Sequence, residues 1–240
     1  MLITSQKIET LLATLLVRTG QVVPTDQLIV EIWGQEPPAR VISSIHVYIS
    51  RLRKLLRAAG AEGSPIVTRP SGYLLRIGEE EFDAHSFQNL AQAGRTHVKE
   101  GRFEEAAKSL DAALALWRGP VLGDVHGGSI IRGFVTWFTE LRAECVELLI
   151  NAQLHLGMHR ELVGWLYSLT SEHPLREEFH RQLMVALYRC GRQADALKAY
   201  QAVRSTLRDE LGLEPCRELQ KIQHAILTAD ARLDQFSAAL

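Results

Sequence analysis

Residues 25–59 read TDQLIVEIWGQEPPARVISSIHVYISRLRKLLRAA, and residues 66–77 read IVTRPSGYLLRI. The first stretch holds two helical patterns with a break between them. Thr25-Asp26 offers side-chain oxygens to the free N–H groups of a first turn, and Leu28, Ile29, Ile32 and Trp33 follow at helical spacing until Gly34. Pro37-Pro38 then predicts the opening of a longer helix that runs to about Ala59, because proline lacks an N–H that a first turn would leave unbonded. Centring that helix on Ile45 puts Ile42, Ile49, Leu52 and Leu56 on one apolar side at ~100° per residue. In the second stretch, residues 66–69 and 73–77 read as strands joined by a Pro70-Ser71-Gly72 turn.

Working outward, residues 5–18 carry Ile8, Leu11, Leu12, Leu15 and Leu16 at helical spacing, and Gly20 stops the run. The order is helix, helix, long helix, hairpin, which is that of a winged helix-turn-helix over residues 1–77. The side of the long helix opposite Ile45 presents Ser43, Val47, Ser50 and Lys54, flanked by Arg40, His46, Arg51, Arg53 and Arg57. A solvated charged helix would look the same in isolation. Followed by a hairpin with Arg69 at its tip, this polar, cationic face is suited to a DNA major groove, with Val47 available to a thymine methyl. Trp33 and the second helix would brace the backbone, Arg69 would enter the adjacent minor groove, and Thr68 and Ser71 would meet phosphates.

Charge divides the chain at the same place. Residues 1–77 hold nine Lys/Arg against five Asp/Glu, whereas residues 78–240 hold eighteen against twenty-three, within an overall charge of −1. Residues 78–83, an acidic run, are read as the linker. From residue 84 the pattern is helical, and Gly101-Arg102-Phe103, Gly157-Met158-His159 and Gly191-Arg192-Gln193 open similar segments. The last two glycines lie 34 residues apart, the tetratricopeptide period. The first interval is 22 longer, which implies an insertion around residues 117–133. Three helix pairs and a terminal helix near 215–228 would form an all-α repeat domain over 84–228, with residues 229–240 as a tail. The fold class is therefore mainly α.

Other classes find little support. The longest apolar run, residues 11–17, is too short to span a bilayer, so no membrane association is expected and the chain reads as cytoplasmic. Cys145, Cys190 and Cys216 form no C-x-x-C pair. His155 and His159 are separated by Gly157, which breaks the single helical face a metal would need. No phosphate loop, nucleophile elbow or dinucleotide fingerprint occurs, so no enzyme activity, cofactor or metal is expected. A second class of function, a helical-repeat adaptor without DNA binding, would place Trp117, Trp137, Trp165, Tyr167 and Tyr200 along a groove; aromatic residues at repeat positions are more often core.

Two sets of motifs resemble one family. Gln27-Leu28-Ile29, Ile32-Trp33-Gly34, Pro37-Pro38, Ser50-Arg51-Leu52-Arg53, Thr68-Arg69-Pro70 and Gly72-Tyr73 look like the OmpR-type DNA-binding domain of the Streptomyces antibiotic regulatory proteins. Leu116-Trp117-Arg118-Gly119-Pro120, His173-Pro174-Leu175-Arg176, Leu187-Tyr188-Arg189, Gly191-Arg192 and residues 209–215 (DELGLEP) look like the bacterial transcriptional activation domain that follows it. The resemblance implies a pathway-specific activator that binds promoter direct repeats in double-stranded DNA and engages RNA polymerase; a homodimer on DNA is a further partner to test. It places Trp33, Ser43, Ser44, Val47, Tyr48, Ser50, Arg51, Arg53 and Arg69 at DNA-contacting positions, Tyr48 standing where histidine is common. The family also carries a β-sheet ahead of its first helix, whereas this chain reaches that helix by residue 5. A truncated start or a variant without the sheet would then leave some of Ile3, Ile8, Leu11, Leu12 and Leu15 uncovered. The alternative is that they pack inside the three-helix core.

Overall fold

The computed structural model describes residues 5–59, 64–78, 82–230 and 233. In the N-terminal half these form α1 (Gln6–Val17), β1 (Val22–Pro24), α2 (Thr25–Trp33), α3 (Val41–Ala58), β2 (Ile66–Arg69) and β3 (Gly72–Leu75). A winged helix-turn-helix is thus followed by an all-helical domain, as the sequence predicts. Ile8, Leu11 and Leu15 of α1 pack with Leu28, Ile45, Ile49, Leu52, Ile66, Tyr73 and Leu75 in one core. These α1 side chains are buried and Leu12 packs half-buried against the same core, so the expectation that they lack cover does not hold for Ile8, Leu11 and Leu15 and holds only in part for Leu12; Ile3 lies outside the described residues.

Four details differ from the sequence reading. The long helix starts at Val41, three residues after Pro38, with Ala39 and Arg40 in a turn closed by the Val41 N–H donating to the Pro38 carbonyl (3.1 Å). Ile42 consequently sits in the first turn, ahead of the core, and is 49% exposed rather than buried. A third strand, β1, pairs antiparallel with β3, giving the order β1-β3-β2. Finally, Gly72 belongs to β3, paired with both Arg69 and Pro24, which leaves Pro70-Ser71 as the turn. Glycine is required there: a Cβ on residue 72 would lie 2.0 Å from the Val23 carbonyl oxygen.

The second half supplies α4 (Asp83–Lys99), α5 (Phe103–Ala115), α6 (Ser129–His155), α7 (His159–Glu172), α8 (Glu177–Arg189), α9 (Gln193–Leu211) and α10 (Arg217–Leu227). The three repeat glycines end the first helix of each pair in one geometry. Gly101, Gly157 and Gly191 have φ of +71°, +84° and +72°. The next residue's N–H reaches five residues back each time: Arg102 to the His97 carbonyl (2.9 Å), Met158 to Gln153 (3.0 Å), Arg192 to Leu187 (2.9 Å). A left-handed glycine closing a helix in this way meets the otherwise unbonded carbonyls of the last turn. Leu166, Phe179, Leu183, Tyr200, Val203, Leu219 and Ile226 fill the core of α7–α10. Arg176 Nε donates to Glu147 (2.5 Å), whose carboxyl is pushed up by burial against the pull of that guanidinium.

The compact units do not follow the 78–83 boundary. One comprises residues up to Gln88 together with Ala115–Arg142; the other comprises Asn89–Leu114 and the chain from Ala143. The inserted segment anticipated around 117–133 therefore belongs with the winged helix. Among the described residues, no helix is long and apolar enough to cross a membrane.

Gly72→Ala should cost at least about 2 kcal/mol in urea or thermal unfolding, since the clash is with backbone that has no rotamer to yield. An unchanged melting temperature would refute this account of the sheet.

Candidate nucleic-acid interface

Burial of Ile45, Ile49 and Leu52 orients α3, so that Ser43, His46, Val47, Ser50, Arg51, Lys54 and Arg57 are exposed, with Arg40 exposed just ahead of the helix. Val47 is 47% exposed, a β-branched apolar side chain set among polar and cationic ones. Arg69, Thr68 and Ser71 are exposed on the wing. These positions share one side of the helix or lie on the hairpin beside it.

The flanks of α3 are occupied differently. On one flank, Tyr48 stacks on Trp33 with ring centroids 5.9 Å apart and planes at 16°. Lys7 Nζ lies over the Trp33 ring at 5.4 Å, so a cation from α1 adds to this corner, which the sequence reading did not include. Both aromatic rings are half-buried and serve first to hold α2 against α3. Ser44 is half-buried as well, its hydroxyl donating back to the Arg40 carbonyl (3.3 Å).

On the other flank, Arg53 turns away from the outward face. Its Nε and Nη2 donate to the Ile66 carbonyl (3.1 and 2.8 Å), and Nη2 also donates to Thr68 Oγ1 (2.8 Å). Arg53 and Thr68 thus bind each other, fixing β2 to α3, while Thr68 keeps exposure on the wing. Burial raises the Tyr73 phenol above its usual value, partly offset by the nearby Arg53 charge. Periodicity alone places Arg53 among the cationic flank residues; its partner lies thirteen residues ahead, across a loop.

The aromatic residues of the helical half divide in the same way. Tyr200 is buried, whereas Trp137, Trp165 and Tyr167 are exposed. Trp117, with Phe87, Phe134 and Phe138, lines a cavity of about 400 Å³ beside the Arg118–Asp83 ion pair (2.6 Å).

Comparisons with known proteins identify the family of both halves of the chain. Residues 82–227 match the family described as bacterial transcriptional activator domain, and residues 2–75 match transcriptional regulatory protein, C terminal. Regulatory protein DnrI of Streptomyces peucetius is 37% identical over 92% of this chain and 84% of its own length. The chain belongs to the Streptomyces antibiotic regulatory protein family. Regulatory protein AfsR of Streptomyces coelicolor is 40% identical over 95% of this chain, which spans only 23% of that protein. A solved structure of Mycobacterium tuberculosis EmbR in complex with a low-affinity phosphopeptide superposes with a TM-score of 0.88 at 36% identity, covering 94% of this chain and 60% of that one. Members of the family are transcriptional regulators rather than enzymes, and the match over residues 2–75 favours DNA binding over the adaptor reading.

Arg53→Ala should lower folding stability by about 1.5–3 kcal/mol, since three charge-assisted bonds to the wing are lost, whereas Arg51→Ala should stay within about 0.5 kcal/mol of the parent chain. Equal melting temperatures for the two variants would return Arg53 to the outward set.

Proposed function

We propose that the chain is a sequence-specific activator of antibiotic or other secondary-metabolite genes. It binds direct repeats in promoter DNA as a pair of copies and engages RNA polymerase through the helical domain. The observation that carries the DNA contact is the outward face of α3, where Ser43, Val47 and Ser50 lie among Arg40, His46, Arg51, Lys54 and Arg57. Helix α3 enters the major groove; Val47 packs on a thymine methyl, and the hydroxyls and Arg51 meet base edges or phosphates. Arg69 reaches the neighbouring minor groove and Ser71 a phosphate. Trp33 and Tyr48, with Ser44 behind them, set the depth of α3, and Arg53 and Thr68 set the angle of the wing.

Deleting residues 1–77 is a poor test, because Ala115–Arg142 packs in the same unit and would be laid bare. Point variants separate the roles. About four to six phosphate contacts per copy give a log–log salt dependence of roughly −4 to −5, from about −0.9 per contact. By fluorescence anisotropy on a footprinted promoter, Arg69→Ala should weaken all sites and reduce that slope by about one, while Val47→Ala should lose about 1 kcal/mol at sites with the thymine and keep the slope. Uniform losses for both variants on matched and mutated operators would overturn the assignment of α3 as the reading helix.

A further inference from the structure

One charged side chain in the winged helix takes no part in the proposed DNA contact. Glu31 lies on α2, one helical turn after Leu28 and on the same buried stripe, and is only 4% exposed. Among the described residues, no ion pair joins it to a basic side chain. Instead its carboxylate accepts the Ile130 N–H through Oε1 (2.8 Å), the Ile131 N–H through Oε2 (3.4 Å), and the Ser129 hydroxyl at 3.4 Å. These are donors of the first turn of α6, a 27-residue helix about one hundred positions away in sequence. First-turn N–H groups have no partner within their own helix, and the helix dipole favours a negative charge at that end.

The surroundings fit the carboxylate closely. A Cβ on Gly128 would stand 2.6 Å from Glu31 Oε1 and 3.1 Å from its Cα. Gly127 is also tight, though against a side chain only: a Cβ there would meet Ile131 Cδ1 at 2.4 Å. A second bond joins the same partners: Thr10 Oγ1, from α1, donates to the His126 carbonyl at 2.9 Å. Two of the three helices of the winged module therefore hold residues 126–131.

We propose that Glu31 is a positioning residue that couples operator binding to the helical domain. DNA bound along α3 restrains α2, and α2 restrains the start of α6, whose later residues from Ala143 belong to the second compact unit. The inference rests on the DNA-binding role proposed above. Glu31 itself touches no DNA.

The test is hydrogen exchange by mass spectrometry and NMR on the full chain, with and without a promoter fragment whose binding is followed by anisotropy. In the parent chain, operator should slow exchange at Ile130 and Ile131 by about threefold or more. Glu31→Ala should raise their DNA-free exchange about tenfold and abolish the response to operator, with operator affinity kept within about threefold and the far-ultraviolet spectrum unchanged. Glu31→Gln, which keeps one acceptor oxygen, should fall between, and Gly128→Ala should reproduce Glu31→Ala by displacing the carboxylate. In single-round transcription with RNA polymerase, Glu31→Ala should activate about tenfold less at saturating occupancy of the promoter. A parent chain that binds operator without slowing Ile130 and Ile131, or a Glu31→Ala variant that responds like the parent, overturns the coupling. A parent chain that binds no promoter fragment fails the functional reading instead, and the DNA-free comparison with Glu31→Ala still decides whether the clamp exists.

Discussion

Three side chains, Ile45, Ile49 and Leu52, set the rotation of α3, and the chemistry of the outward face follows from that rotation. Each buried aliphatic side chain of this size contributes on the order of 1.5–3 kcal/mol, so the stripe outweighs the small cost of leaving Val47 and Ile42 in water. Turning the helix by half a turn would bury Arg51 and Lys54 against an apolar core, at a large desolvation cost. The polar face is therefore outward by necessity, before any partner is considered. In the proposed function, DNA recognition uses a surface that the core has already oriented.

That logic also explains what could be read in the residues beforehand. The order of three helices and a hairpin, the 34-residue interval and the helix-ending glycines are local patterns, and local patterns survive in a one-dimensional reading. The Schellman geometry at Gly101, Gly157 and Gly191 depends only on residues within one turn, so a recurring glycine suffices to locate it. The exposed members of the candidate interface, from Arg40 to Arg57, follow from the same 100° arithmetic.

What escaped that reading has a partner far along the chain. Strand β1 is three residues long, too short to display alternation, and exists because β3 offers it an edge. Gly72 reads as a turn glycine until Val23 is known to cross it. Arg53 belongs by phase to the cationic flank, yet the Ile66 carbonyl and Thr68 draw it to the hairpin. Glu31 left a detectable trace: a carboxylate one turn beyond Leu28 on an apolar stripe requires a buried donor. Nothing in the sequence names α6 as that donor.

Glu31 also explains why the compact units disregard the acidic linker. A repeat array alone would have continued at its 34-residue period, and residues 116–128 interrupt it. Such an insertion exposes the first turn of the next helix, with N–H groups that no preceding turn can meet. A buried anion from the winged module satisfies them, and its own desolvation is offset by the same bonds. Two otherwise costly groups, an unpaired carboxylate and an open helix end, are thus compatible only in each other's presence. An interface built in this way is more selective than an apolar one, because loss of either side leaves the other buried without a partner. The insertion therefore makes the start of α6 part of the DNA-binding module, while the remainder of the helix stays with the repeats.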